Sequence, residues 1–328
     1  MVSTRKMDLK KLSSLVAFLW QRYNLLPIEK IMLFYCSFTF LLAIVFWNEI
    51  APEAILNRIY ILGVTFFLVI MHLIFPGKVG YYLRMFYQLL LLGYWYPDIY
   101  YFARFMPNTD HFFALCDQVL FGFQPAIMFS RWLDGFMWRE LFNMGYFSYY
   151  IMIFAVVVWA AVKCKERFEK ISCVVLTSFM LYYVVFLFLQ SAGPQFYFEC
   201  IGMDNVEAGV FPLVGDWFKC HSELVHHQVG EGGWFTSLVE CAQKSEKPIA
   251  AFPSSHVGLS TILIVLAWTM SRKLFAVLFP FYCVLCLSTV YIGAHYAIDV
   301  LGGWLSAIVV LLISQKVSQM LLNNKVAH

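Results

Sequence analysis

The chain has 328 residues, of which 61% are hydrophobic and only 13% are charged, and its formal net charge is +3. Charged residues make up about 25% of an ordinary soluble domain, so this composition excludes such a domain and favours one polytopic membrane bundle. The net charge is too small to indicate nucleic-acid binding, so we expect the lipid bilayer, and no nucleic acid, as a partner.

The N-terminal segment, residues 1–30, is basic and interrupted, unlike the continuous apolar core of a cleavable signal peptide. Basic residues near its start predict a cytosolic N-terminus, because cytosolic segments of membrane proteins carry an excess of Lys and Arg. These residues are Arg5, Lys6, Lys10 and Lys11. If the N-terminus is cytosolic, the other segments that would lie in the cytosol are also basic, for example the stretch from Lys163 to Lys170. Both termini are therefore predicted to lie in the cytosol.

Apolar runs predict eight transmembrane helices, on the criterion that about 20 helical residues cross the hydrocarbon core. The runs lie near 31–47, 59–75, 82–105, 141–162, 171–192, 255–271, 274–294 and 296–315. We therefore expect an all-α integral membrane fold with four parts. These are the basic N-terminus, a block of N-terminal helices over 31–140, a helical core over 141–322 and a cytosolic tail over 323–328.

Two stretches between the spans are predicted to lie at the non-cytosolic surface. The first, Asp110 to Trp138, is too polar to span but is rich in aromatic residues, which indicates an interfacial helix on the outer leaflet. The second is a long outer loop over 195–251. Loops of this length are usually functional or disordered, and the position of this one favours a lid or cap over a site.

The first motif with chemical potential is Pro253-Ser254-Ser255-His256, at the start of an apolar helix. Ser254 is a candidate N-cap, because a serine hydroxyl can accept a hydrogen bond from the first helical turn. The free backbone N–H groups at a helix start also favour an anion. The sequence therefore places His256 beside a candidate anion site.

The second motif runs from Ser288 to Asp299 and ends in a histidine and a carboxylate four residues apart. On a helix, His295 and Asp299 share one face. The carboxylate can accept the proton of one ring nitrogen and leave the other nitrogen free to attack. An isolated pair of this kind more often joins helices. With His256 predicted on the same membrane face, the pair instead provides the parts of a phosphoryl transfer.

These residues resemble the type 2 phosphatidic acid phosphatase superfamily. That family carries Pro-Ser-Gly-His in one motif and Ser-Arg, five residues, His, three residues and Asp in another. The positions that fall on its pattern are Pro253, Ser254, His256, Ser288, His295 and Asp299. Ser255 stands where Gly is usual, and Thr289 stands where Arg is usual. A further motif with Lys and Arg-Pro is reduced to Ala192-Gly193-Pro194, so the basic residues that would hold a phosphate are missing.

At the positions where it departs from the superfamily pattern, the chain is similar to one branch of the superfamily, the inositol phosphorylceramide synthases. That branch reads Phe-Pro-Ser-x-His and Ser-Thr-x-Tyr-x-x-x-His-Tyr-x-x-Asp, which the chain matches from Phe252 to His256 and from Ser288 to Asp299. The resemblance implies His295 as nucleophile, Asp299 as its orienting acid, His256 as general acid and base, and no metal or other cofactor. It suggests substrate contacts at Pro194, Gln195, Ser254, Ser255, Thr289, Tyr291 and Asp117.

Three hypotheses for the function stay open. The first is transfer of a phospho-alcohol headgroup, such as phosphoinositol, from a glycerophospholipid to a ceramide-like or diacylglycerol acceptor. The second is a phosphohydrolase acting on phosphatidate, a polyprenyl diphosphate or another lipid phosphate. The third is a non-catalytic transporter or scaffold. In the first two, the phosphate charge has to be neutralised, for which the loop residues Arg131, Lys244 and Lys247 are candidates.

The topology predicts that Glu207, in the long loop, is outside and that Lys165 is in the cytosol. A cysteine introduced as Glu207→Cys should react with a membrane-impermeant thiol reagent in intact cells, above the background of the nine native cysteines. The matched Lys165→Cys variant should react only after the cells are permeabilised. The opposite labelling pattern would reverse the predicted orientation.

Overall fold

The computed structural model describes residues 25–47, 50, 52–223, 232–244 and 246–326. Most of the predicted basic N-terminus, with Arg5, Lys6, Lys10 and Lys11, lies outside this range, as do parts of the long loop and the last two residues of the tail. The structure is 80% helical and holds no β-strand among the described residues. The prediction of an all-α membrane fold is thereby confirmed.

The described part of the chain contains long apolar helices separated by short ones. In chain order they are α1 (Pro27–Val45), α2 (Pro52–Ile74), α3 (Lys78–Asp98), α4 (Tyr100–Ala103), α5 (Asp110–Phe121), α6 (Pro125–Trp132), α7 (Phe136–Lys163), α8 (Lys165–Phe188), α9 (Pro194–Ile201), α10 (Met203–Glu207), α11 (Trp217–Cys220), α12 (Trp234–Gln243), α13 (Ser255–Met270), α14 (Arg272–Tyr291) and α15 (Ala297–Val326).

Six of the described helices are long and apolar enough to cross a membrane, namely α1, α2, α7, α8, α14 and α15 as far as Asn323. Helices α5 and α6 pass the same test only as a pair bent by 56°, which makes them a broken span or a re-entrant loop. This pair covers most of the segment predicted as one interfacial helix. Of the eight predicted spans, 82–105 is interrupted after Asp98, and 255–271 forms a helix of only 16 residues.

The chain divides into two compact units, Met1–Leu91 and Leu92–His328. In the first unit, buried charged side chains are hydrogen-bonded. The Glu29 carboxylate accepts hydrogen bonds from Arg84 Nε at 2.7 Å and from Arg84 Nη2 at 2.6 Å, and both side chains are buried. The buried Arg58 donates to Ala54 O at 2.7 Å. Such pairing offsets the high free-energy cost of a charge at membrane depth.

In the second unit, α13 packs against α7, α8, α14 and α15. Its contact with α15 is close because glycines lie at the interface. A Cβ atom at Gly303 would lie 2.8 Å from the carbonyl oxygen of Ser254, and one at Gly258 would lie 3.1 Å from the carbonyl oxygen of Gly303. Small residues let helix backbones approach in membrane proteins. This approach places the start of α13 beside the start of α15, where the two sequence motifs lie.

The long loop over 195–251 contains the short helices α9 to α12, and its residues 224–231 and 245 lie outside the described range. Helix α12 is joined to the second turn of α7 by Glu140. The carboxylate of Glu140 accepts hydrogen bonds from the N–H groups of Gly233 at 3.1 Å, Phe235 at 3.0 Å and Thr236 at 3.0 Å. A carboxylate at a helix start satisfies N–H groups that have no partner within the helix. The loop is therefore held to the helical core near the site, while its role as a lid stays a prediction.

The contact between α13 and α15 predicts a stability effect at Gly303. Gly303→Ala should destabilise the protein by about 1–3 kcal/mol, since a backbone carbonyl cannot make room without moving α13. The measurement is thermal unfolding of the purified protein in detergent. The matched control is Gly93→Ala, because nothing lies within 4 Å of a Cβ atom at that helical glycine. An equal loss of stability in both variants would contradict the close contact.

Candidate active site

The ring of His295 is held at one nitrogen by two acceptors. Nδ1 lies 2.8 Å from the carbonyl oxygen of Ala251 and 3.3 Å from Oδ2 of Asp299. A carbonyl oxygen can only accept a hydrogen bond, so Nδ1 must carry the proton. The other ring nitrogen, Nε2, is then unprotonated in the neutral ring and has a lone pair available for attack. The structure thus assigns the tautomer that a nucleophilic histidine needs.

The second histidine faces this lone pair. Nδ1 of His256 lies 3.4 Å from Nε2 of His295, and the two ring centroids are 5.6 Å apart. The His256 ring is packed against two tyrosines, with centroid distances of 4.6 Å to Tyr146 and 4.4 Å to Tyr149. These contacts fix the plane of the ring. A proton carried by His256 can therefore be delivered to a group that also contacts His295.

The backbone around the two motifs fixes their relative position. Ser254 caps α13, since its side chain accepts a hydrogen bond from Val257 N at 3.3 Å. Its own N–H donates to the carbonyl oxygen of Asp299 at 3.1 Å. The Asp299 carboxylate is buried and also accepts from Tyr296 N at 2.9 Å. The helix start that carries His256 is thus tied directly to the turn that carries His295 and Asp299.

His295 lies between the spans α14 and α15 and is buried. Burial lowers its pKa to about 4, although the hydrogen bond to Ala251 acts in the opposite direction. The charged form of an imidazole is disfavoured where water is excluded. The ring is therefore neutral near pH 7, which keeps the lone pair of Nε2 available.

Two buried carboxylates of α5 hold the main chain around the site. Asp117 accepts from the N–H groups of Ala297 at 2.8 Å and Ile298 at 2.9 Å, which caps α15. Asp110, two turns earlier on the same helix, accepts from Ala192 N at 2.6 Å and Gly193 N at 2.7 Å. It also accepts from the hydroxyl group of Tyr296 at 3.1 Å. Both carboxylates therefore bind backbone segments that flank the histidines.

The two histidines line a cavity of about 10 Å³, which is enough space for roughly one water molecule. Gln195, Glu246 and Lys247 line the same cavity. An apolar groove of about 460 Å³ lies next to it, and Pro194, Gln195 and Phe198 are among its lining residues. Gln195 contributes to both spaces. The cavity is too small to hold a phosphate group unless side chains that line it move.

Other predicted contact residues are placed away from the cavity. Thr289 is buried and donates to the carbonyl oxygen of Cys286 at 3.0 Å. The hydroxyl group of Tyr291 donates to Leu133 O at 2.9 Å, and its ring stacks on Phe142. Ser255 is buried and does not line the cavity. The predicted role of these side chains and of Asp117 in substrate binding therefore has no support from their contacts.

The three candidate cations are placed differently. Arg131 forms an exposed ion pair with Glu207 at 3.0 Å, and Lys244 is exposed. Lys247 lines the cavity, and its Nζ donates to Ser222 Oγ at 3.3 Å. The described residues contain no group of three or more His, Cys, Asp or Glu side chains placed to hold a metal ion. Of the three candidates, Lys247 is therefore the one that lines the cavity.

Sequence reasoning missed several groups that shape the site, notably the carbonyl group of Ala251, the buried Asp110, the ring of Tyr146 and the carboxylate of Glu246. Two weak signals existed. Glu246 precedes the candidate Lys247 directly, and Asp110 lies seven residues before Asp117 and hence on the same helix face. No sequence pattern marks the backbone acceptor at Ala251.

The family model described as PAP2 superfamily matches residues 115–313, more than half of the chain. The matched range includes both histidine motifs, the long loop and the helices that pack around α13. The chain matches no curated protein and no solved structure.

The position of Lys247 predicts a specific effect on anion binding. Lys247→Met should weaken the binding of orthovanadate, a phosphate analogue, by about tenfold or more, since a charge-assisted hydrogen bond contributes about 1.5–3 kcal/mol. Binding is measured by the rise in unfolding temperature with anion concentration. Lys244→Met is the matched control and should bind as the unchanged protein does. A loss of binding in the Lys244 variant alone would contradict the placement of the cation.

Proposed function

The chain belongs to the PAP2 superfamily, and we propose that it is a membrane lipid phosphotransferase that acts through a phosphohistidine. Members of the superfamily are phosphatases and phosphotransferases, so an activity of this general type on lipids follows from membership. The finer proposal is carried by the tautomer of His295. Because Nδ1 holds the proton between Ala251 and Asp299, the lone pair of Nε2 faces His256.

In the first step, Nε2 of His295 attacks the phosphorus atom of a glycerophospholipid. The N–P bond forms, and the P–O bond to diacylglycerol breaks. His256 is protonated when the anionic phosphate lies beside it, and it gives this proton to the departing oxygen. Asp299 keeps its hydrogen bond to Nδ1 and stabilises the positive charge of the phosphorylated ring. The polar headgroup stays esterified to the phosphorus.

In the second step, the hydroxyl group of a ceramide-like or diacylglycerol acceptor attacks the phosphorus. Neutral His256 takes the proton of this hydroxyl group, the new O–P bond forms and the N–P bond breaks. Both histidines return to their starting protonation states. The N-terminus of α13 and Lys247 favour the negative charge on the phosphoryl oxygens in both steps.

The charges at the cavity favour a phosphodiester over a terminal phosphate. A diester carries one negative charge, whereas a phosphomonoester approaches two near pH 7. Lys247 lines the cavity, but so does the carboxylate of Glu246. This balance supports a phospho-alcohol headgroup such as phosphoinositol, as does the resemblance of the motifs to the inositol phosphorylceramide synthases.

A lipid phosphate phosphohydrolase is the second candidate. Its chemistry is the same except that water replaces the acceptor alcohol in the second step. The observation in its favour is the size of the cavity, about 10 Å³, which accommodates a single water molecule.

We also propose that the site lies on the non-cytosolic face. Helix α13 begins at Ser255, next to His256, and ends at Met270, so Arg272 and Lys273 follow at the end away from the histidines. Helix α8 begins with Lys165 and ends near Gln190, which donates to the carbonyl oxygen of Pro248 beside the cavity. These basic residues support a cytosolic position for the opposite ends of the helices.

The proposal predicts the products formed from phosphatidylinositol labelled in its phosphate. With a ceramide acceptor, the purified protein should form a labelled phosphosphingolipid, separated by thin-layer chromatography. His295→Ala should form none, because no N–P bond can replace the P–O bond. Asp299→Asn should keep the fold and lose roughly 10²–10⁴ in rate, because the amide favours the wrong tautomer.

The other products decide between the alternatives. Labelled inositol phosphate formed with or without ceramide would select the hydrolase. Absence of turnover, with these lipids and with phosphatidate, would contradict both enzymatic candidates. Thermal unfolding of each variant serves as the control that the histidine and carboxylate substitutions leave the fold intact.

A further inference from the structure

The cavity contains a carboxylate that the two-step transfer does not use. Glu246 lies between α12 and α13 and lines the cavity together with His256 and His295. Its Oε2 accepts a hydrogen bond from Gln195 Nε2 at 2.9 Å, and its Oε1 accepts one from the hydroxyl group of Tyr146 at 3.3 Å. A carboxylate beside a phosphoryl site repels the phosphate, so Glu246 must bind a different part of a ligand.

A second amide continues this set of polar groups. Gln243 Nε2 donates to Oε1 of Gln195 at 3.1 Å. The hydroxyl group of Tyr146 donates to Glu246, and the ring of the same tyrosine is stacked on His256. The polar groups therefore run from the last residue of α12 to the acid-base histidine. They form one wall of the space in which a phosphorus atom bonded to His295 would lie.

The remaining hydrogen-bonding capacity of this wall fits hydroxyl groups. Each carboxylate oxygen can accept two hydrogen bonds, and each oxygen of Glu246 accepts one from the side chains named above. The free lone pairs call for hydrogen-bond donors, and they exclude a second anion, which would be repelled. Alcohol O–H groups supply such donors, and they accept from side-chain amides as well. Several adjacent hydroxyl groups would use Glu246 and Gln195 together.

We propose that Glu246 and Gln195 form a subsite for the hydroxyl groups of a polyol headgroup that stays esterified to phosphorus during transfer. The assignment rests on the proposed function, since it is the phosphohistidine at His295 that keeps the headgroup beside this wall. The acceptor alcohol also carries a hydroxyl group, which can make the same hydrogen bonds. The headgroup is favoured because it remains bound to phosphorus in both steps, next to a cavity that Gln195 and Glu246 line.

The subsite is tested by equilibrium binding to the full-length His295→Ala protein in detergent, where lipid is not consumed. The probes are phosphatidylinositol and phosphatidylethanol, which carry the same phosphodiester charge but differ in headgroup hydroxyl groups. Phosphatidylinositol should bind about tenfold more tightly or better, since one or more hydrogen bonds to a charged group distinguish the two. Adding Glu246→Ala should remove most of the difference in affinity between the two lipids, and Glu246→Gln should keep part of it.

A matched control is Glu240→Ala in the same protein, because Glu240 is an exposed carboxylate on α12. It should leave the difference in affinity unchanged. Equal binding of the two lipids before any change at Glu246 would overturn the subsite, as would an equal loss for both lipids in Glu246→Gln. A loss confined to binding of a ceramide acceptor would overturn the assignment to the headgroup. Because binding is measured without turnover, the binding result is independent of whether the transfer reaction occurs.

Discussion

The proton on Nδ1 of His295 is the feature on which the proposed chemistry depends. Its two acceptors come from different parts of the chain, since Ala251 ends the long loop and Asp299 lies in the first turn of α15. The hydrogen bond from Ser254 N to Asp299 O joins these parts, and the close approach of α13 and α15 at Gly303 allows it. The tautomer of one ring therefore requires the packing of two membrane helices and the end of a loop.

Helix α5 has a role that its composition does not suggest. Its aromatic and apolar residues fit a segment at the membrane surface, yet Asp110 and Asp117 are both buried. A buried carboxylate is tolerated only where several donors satisfy it. Here the donors are backbone N–H groups on both sides of the histidine turn, together with Tyr296. Helix α5 thus contributes to the scaffold of the site.

The parts of the molecule that were predictable from sequence are those with a local pattern. Apolar runs of span length indicated most of the membrane helices. The spacing of His295 and Asp299 indicated that the two side chains meet, but the shared helix face was wrong, because His295 lies before the first residue of α15. The contact between Glu246 and Gln195 could not be predicted, because the two residues are 51 positions apart and no periodicity relates them. Thr289 and Tyr291 match a family pattern, but their hydrogen bonds go to Cys286 and Leu133, and a pattern does not show which way a side chain faces.

The most direct measurement is to identify the nitrogen that carries the phosphoryl group. His256→Ala protein is exposed briefly to a phosphorus-labelled lipid diester with a good leaving group, which needs no protonation in the first step. Label should accumulate on His295, because the base for the second step is missing, and phosphorus NMR of the digested peptide should show the bond at Nε2. Label on Nδ1 of His295, or loss of label in His256→Ala but not in His295→Ala, would contradict the assigned tautomer and the roles of the two histidines.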